Sequence, residues 1–261
     1  MRAVGVALIA LCAGVQAGVP AGRPARLQPP TTEVHDRLAA AASAGPRLAL
    51  TLDACTGQYD DDLIQFLIRR RIPATIFATK KWLDRNPRGV SIITAHLDLF
   101  DVEDHGENHI PAVIGAGRKV YGIPGEPDLD HLRREVTEGA LAIQAATGIA
   151  PRWYRGATAV YDAQAIGEIG RLGYRIAGFS VNADAGATLG KGAIVERLAH
   201  VRAGDVIIAH MNKPASDSAE GLAVGLKALL DRGFVFVRLD QADLELVSGK
   251  AGHGVPVKSV Q

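Results

Sequence analysis

From Arg47 onward, short apolar runs alternate with longer segments whose apolar residues recur at helical spacing. RLALTLD (47–53) reads as a strand, and DDDLIQFLIRRR (60–71) as a helix opened by acidic residues and closed by basic ones, both favourable to the helix dipole. IPATIFAT (72–79) is a strand with its proline only at the start. The segment 127–148 puts Leu129, Leu132, Val136, Ala140 and Ile143 on one helical face and ends on Gly148, suited to a C-cap. RWYRG (152–156), YRIAGFSVN (174–182), DVIIAH (205–210) and FVFVRL (234–239) continue as strands. Between them, DAQAIGEIGRLG (162–173), AIVERLAHVRAG (193–204) and AEGLAVGLKALLDRG (219–233) read as helices. Strands alternating with helices in this way predict an α/β fold with a parallel sheet, closed as a barrel or open.

The N-terminus follows a different rule. Arg2, an apolar run from Ala3 to Val15 and the small-residue pattern Val15-Gln16-Ala17 are expected to be a signal peptide, residues 1–17, cleaved after Ala17. The run is too short to span a bilayer, so no stable membrane anchor is expected and the protein is expected to be exported, to the periplasm or the medium. Residues 18–44, rich in Pro, Gly, Arg and then Ala, are expected to be a linker or N-terminal extension. A single domain over 45–243 and a C-terminal tail over 244–261 follow. With Cys12 in the signal, Cys55 is the one cysteine of the mature chain and no internal disulfide can form. A hydrophobic content of 48% supports a full-sized core, and a net charge of +1 gives no support for nucleic acid as a partner.

Folds of this class put their chemistry at the C-terminal ends of the strands. Asp53 follows LALTL, His105 and His109 follow DLFDVED, Arg155 follows RWY, Asn182 and Asp184 follow AGFSV, and His210 ends DVIIA. Two imidazoles and a carboxylate suit Zn²⁺ or a similar divalent ion with one position open for water. Gly106, Asn108 and Pro111 argue against a helix through EDHGENH (103–109), so its histidine pair is read as ligands rather than helix-surface neighbours. The duller readings are a turn or helix cap for Asp53, a surface ion pair for Arg155 and a core histidine for His210. His35, His96, His131, His200 and His253 have no spacing that singles them out. No Gly-x-Ser-x-Gly elbow is present, which removes the usual serine esterase route, and GATLGKGA (186–193) is one residue short of a phosphate loop.

LTLDACTG, HGENH, WYRGATAVYD, FSVNADAG and VIIAH fall in the order and approximate spacing of the five motifs of polysaccharide deacetylases, the NodB homology domain of carbohydrate esterase family 4. The chain resembles that family over roughly residues 47–240. The resemblance implies a distorted (β/α) barrel and removal of acetyl groups from an acetylated glycan. It also implies one divalent metal ion, Zn²⁺ first and Co²⁺, Ni²⁺ or Mn²⁺ as alternatives. By the same resemblance His105 and His109 are metal ligands, Asp53 the general base, His210 the general acid and Arg155 the partner that keeps Asp53 ionised. Asp184 orients His210, and Ile208 borders the acetyl methyl group. Tyr154 and Asn212 are further expected substrate contacts.

The family's first motif reads Thr-Phe-Asp-Asp-Gly, and here Ala54 stands where its metal carboxylate would be. Three repairs are open: Asp53 itself binds the metal, which is the reading favoured; Cys55, Asp60 or Asp61 reaches in; or the metal site is incomplete. Three functions follow: a secreted metal-dependent glycan deacetylase, a C–N hydrolase of a small amide, or a glycan-binding protein that keeps the fold without catalysis.

Overall fold

The computed structural model describes residues 29–39 and 45–247; the expected signal peptide, most of the 18–44 extension and the tail beyond 247 lie outside the described residues. Eight parallel strands form one curled sheet. In sheet order they are Arg175–Ile176, Trp153–Tyr154, Phe100–Asp104, Ala74–Ala78, Arg47–Ala54, Val206–His210 and Val181–Asn182, with Val235–Val237 paired to the start of Arg47–Ala54. Every pairing in this sheet is parallel, with helices covering its outer face, and among the described residues the two edge strands do not pair with each other. This is the distorted (β/α) barrel expected from the sequence. No helix among the described residues is long and apolar enough to cross a membrane.

Local signals account for the element ends. Asp60 caps the helix Asp61–Arg70, its Oδ1 accepting from Leu63 N at 3.1 Å, and Arg71 closes it in the left-handed region. Asp128 caps Leu129–Thr147, which ends on Gly148 at φ 75°. In the central strand, Leu48, Leu50, Leu52 and Ala54 turn outward into the cluster they share with Leu63, Leu67, Leu222 and Leu226. Each fully buried leucine there contributes roughly 2 kcal/mol. The alternate positions Ala49, Thr51 and Asp53 therefore face the inside of the curl. That alternation puts the carboxylate on the concave side.

Two expectations change. YRIAGFSVN is not one strand: it pairs at 175–176, leaves the sheet at 177–180 and returns at 181–182. The backbone between is taken by other partners, since Arg155 donates to the carbonyls of Ala177 and Gly178, and Gly178 N donates to Asp36 Oδ2 at 2.7 Å. A Cβ at Gly178 would lie 2.5 Å from Val34 O, so only glycine fits this approach. The extension is also not wholly a linker. Thr31–Glu33 pairs antiparallel with Val160–Asp162, and Asp36–Leu38 pairs with Leu244–Leu246 from the expected tail. Leu38 supplies the reason, being buried with Trp153, Phe179 and Leu239.

Beneath the histidine loop, burial and the neighbouring Asp101 push the Glu103 carboxyl up to about 8. Its Oε2 accepts from the backbone N–H groups of Arg152 and Trp153 at 2.7 and 2.8 Å. A folded-state pKa above the unfolded value means that the folded chain holds this proton more tightly. The associated stability is present in acid and is lost as pH rises from about 4.5 to about 8. Glu103→Gln keeps the two acceptor bonds and removes the titration. It is expected to be more stable than the parent at pH 8 by on the order of 2–4 kcal/mol and close to it at pH 4.5, as read by urea unfolding. An equal difference at both pH values would contradict this.

Candidate active site

The strand ends open on a cleft of about 450 Å³ lined by Asp53, Cys55, His109, Asn182, Ile208, His210, Asn212 and Lys213, with Glu33 and Tyr121 also on its walls. Asp53 and His210 are direct partners in the register of two adjacent strands, which sets them side by side. Arg155 and Asp184 are completely buried behind the cleft, where each holds one of these two residues. Tyr154 does not reach it. Its ring is completely buried with Val136, Tyr161 and Ile169, because strand alternation points it to the helix side, so the expected substrate contact is a core residue.

The segment 105–110 is irregular, and its backbone groups are met one by one. His105 N donates to Ala78 O, Gly106 N to Asp104 Oδ1, and Glu107 N to Glu135 O. The first-turn N–H groups of Lys80 and Lys81 donate to Gly106 O and Glu107 O. The Glu135 carboxylate accepts from Asn108 N at 2.8 and 3.0 Å, from Asn108 Nδ2 at 3.2 Å and from Ile110 N at 3.1 Å. This clamp holds His109 at φ 66°, a conformation costly for a residue with a Cβ. Glu135 was not singled out in the sequence. The signal that finds it is a carboxylate on the buried stripe Leu132, Val136, Gly139, Ala140, Ile143 of its helix.

Gly139 lets that helix approach the loop. A Cβ there would press on Asp104 Oδ1 and lie 2.7 Å from the backbone carbon of Gly106. Glycine to alanine within a helix ordinarily gains about 1 kcal/mol. Here the clash with backbone reverses the sign: Gly139→Ala is expected to lower the melting temperature and weaken zinc binding at least tenfold. A raised melting temperature with unchanged zinc affinity would count against this packing role.

Cys55 Sγ and one ring nitrogen from each of His105 and His109 lie within 4.8 Å of one another. His105 Nδ1 lies 2.5 Å from Arg155 O, and with a proton on Nδ1 its Nε2 is left as the ligand atom. This Nε2 is 3.5 Å from Cys55 Sγ. Burial pushes the Cys55 thiol up, but the adjacent His105, with His109 and His210, outweighs it and brings the thiol well below its ordinary value. A thiolate and two imidazoles fit a divalent ion of the zinc type, with a coordination position left over. Asp53, the carboxylate expected among the ligands, stands beside this set: Oδ1 accepts from Arg155 Nη1 at 2.8 Å, and Oδ2 is 3.7 Å from His105 Nε2.

Burial raises the Asp53 carboxyl, but Arg155, His105 and His210 together lower it below its ordinary value. Arg155 also donates to Thr51 Oγ1 at 2.9 Å and lies over the Phe77 ring at 4.2 Å, so its position is fully determined. On the opposite wall, His210 Nδ1 is 2.9 Å from Asp184 Oδ1, while His210 N and Ser218 Oγ donate to Asp184 Oδ2. Burial pulls the His210 imidazole down, but the Asp184 hydrogen bond and the surrounding negative groups raise it well above 6.5. The cleft thus presents, beside three metal-type donors, a carboxylate shifted toward its ionised form and an imidazole shifted toward its protonated form.

The fold recurs in solved structures at low identity. The family 4 carbohydrate esterase PdaA of Bacillus subtilis is 20% identical, with a TM-score of 0.60 over 75% of this chain and 80% of that one. The Bc1960 peptidoglycan N-acetylglucosamine deacetylase is 18% identical, with a TM-score of 0.63 over 75% and 87%. BA3943 of Bacillus anthracis, a family 4 pseudoenzyme, is 17% identical with a TM-score of 0.61 over 75% and 64%. A BA3943 mutant with restored enzymatic activity is 18% identical with the same TM-score over 75% and 66%. This chain therefore spans slightly less than two thirds of the BA3943 chains. No curated protein matches it in sequence. The family model for polysaccharide deacetylases matches residues 40–177, just over half of the chain, and takes in the strand ends that carry Asp53, His105, His109 and Arg155. With the curled parallel sheet and the histidine loop in place, the chain belongs to the polysaccharide deacetylase family.

Proposed function

We propose that the protein is a metal-dependent deacetylase that releases acetate from N-acetylated sugar units of a polysaccharide. The observation that carries this reading is the pairing of Asp53 and His210 across adjacent strands, both lining the cleft beside the His105 and His109 donors. A divalent ion held there supplies positive charge that polarises an acyl carbonyl and acidifies water. Asp53, ionised through Arg155, takes the proton of the attacking water. His210, protonated and fixed by Asp184, then gives a proton to the departing sugar amine. Ile208, Asn212 and Lys213 line the cleft, and in this reading Ile208 offers an apolar wall to the acetyl methyl group while Asn212 and Lys213 meet sugar hydroxyls. Asn212 also donates to Thr56 O at 2.5 Å, which ties the loop after Cys55 to the cleft.

The test is acetate release from N-acetylglucosamine oligomers and from peptidoglycan, with chelator and with zinc restored. Activity lost to chelator and regained with zinc supports the reading. Turnover of small amides but not of oligomers would replace it with a C–N hydrolase of small substrates. A second reading, a glycan-binding protein without catalysis, draws on Ala54 at the position of the family's second aspartate and on the likeness to BA3943. Saturable oligomer binding without acetate release under any metal supply would establish that reading instead. Export after cleavage at Ala17 belongs to the proposal, and N-terminal sequencing of protein recovered outside the cytoplasm tests it.

A further inference from the structure

We infer that Cys55 supplies a thiolate as the third protein ligand of the metal, in place of a carboxylate, which makes this a zinc-selective site of one sulfur and two nitrogens. The inference rests on the metal-dependent reading above and deepens it. Strand geometry is the first argument. Ala54 continues the outward row of Leu48, Leu50 and Leu52, is completely buried in the outer core and faces away from the cleft. The next residue turns inward at the strand's end, and that residue is Cys55.

The exit is fixed by one side chain. Thr79 N and Oγ1 both reach Ala54 O, Oγ1 also donates to Cys55 O, and Thr79 in turn caps the helix Lys80–Arg85. The same helix start binds the carbonyls of Gly106 and Glu107. The cysteine and the histidine loop are thus referred to a single rigid element, and the convergence of Sγ with the two ring nitrogens follows from it. Asp53 gives Oδ1 to Arg155 and stands outside the three-donor cluster, with Oδ2, 3.7 Å from His105 Nε2, available as the base.

A thiolate changes which ion is preferred. Sulfur favours zinc and disfavours manganese and magnesium, which prefer oxygen. The full chain is titrated with Co²⁺ and Zn²⁺ and compared with Cys55→Asp, Cys55→Ser and His105→Ala, with circular dichroism confirming that each is folded. The expected result is a near-ultraviolet sulfur-to-cobalt charge-transfer band in the parent that is absent from Cys55→Asp and Cys55→Ser. Cys55→Asp is expected to keep a visible d–d band, and its preference for Zn²⁺ over Mn²⁺ is expected to narrow at least tenfold. Cobalt binding without a charge-transfer band in the parent, lost in His105→Ala and unchanged in Cys55→Ser, would overturn the thiolate ligand and leave the metal-dependent reading standing. No binding of either ion to the parent would overturn both.

Discussion

Asp53→Asn is expected to lower kcat/KM for acetate release by about a thousandfold, the middle of the range for a positioned general base. Asparagine keeps the Oδ1 acceptor for Arg155, so the buried guanidinium retains a partner and the fold is expected to persist. What disappears is the negative oxygen that would accept the proton. Zinc affinity is expected to remain, because the three converging donors are Cys55, His105 and His109. The kinetics and calorimetry of one variant therefore separate two roles. Activity above a tenth of the parent would remove Asp53 as base, and loss of zinc binding would return it to the ligand set favoured from sequence.

Arg155→Met carries the largest expected loss of stability, about 3–5 kcal/mol, because it leaves Asp53 as a buried charge without its main partner. The guanidinium meets Thr51 Oγ1, Asp53 Oδ1 and the carbonyls of Ala177 and Gly178, and its loss also frees the 177–180 segment. The pH dependence identifies the cause. In the parent the Asp53 carboxyl is lowered, so its stabilisation is present above the unfolded value of about 3.8 and lost as pH falls through the folded value. Without Arg155, burial is opposed by His105 and His210 alone, and the carboxyl moves upward. The deficit is then full at pH 7 and shrinks toward pH 4. Adding Asp53→Asn to Arg155→Met is expected to recover at least ~1 kcal/mol at pH 7, as a double-mutant cycle reads it. A pH-independent deficit with no recovery would assign the loss to the Phe77 packing and to the bonds with Thr51, Ala177 and Gly178 instead of to the Asp53 charge.

Asp53, His105, His109, Arg155 and His210 were legible as polar residues at the ends of apolar runs, and strand-end chemistry is a rule of the fold class rather than of one protein. What escaped were choices of direction. Tyr154 and Cys55 both lie at strand ends, and one step of alternation decides that the first enters the core and the second the cleft. No apolar count resolves that step for Tyr154, whose strand is two residues long. Glu135 and Thr79 escaped for another reason: they act on the histidine loop and the Cys55 turn from distant or separate elements, and each also has an ordinary local role, on a helix or at its cap. The pairing of residues 31–38 was hidden because two three-residue strands carry too little periodicity to stand out from a polar, glycine- and proline-rich approach.

The register that sets Asp53 opposite His210 joins positions more than 150 residues apart along the chain. During synthesis, Arg47–Ala54 gains Ala74–Ala78 on one edge early, while its other edge stays open until Val206–His210 has emerged. Parallel pairings of such long range form slowly, because loop closure is paid before the contact is made. The histidine loop and its Glu135 clamp, by contrast, draw on residues 78–135 and can assemble sooner. Base and acid thus become neighbours only when the sheet is nearly finished, which makes the proton-transfer pair a late product of folding and a chain ending before Val206 unable to contain it.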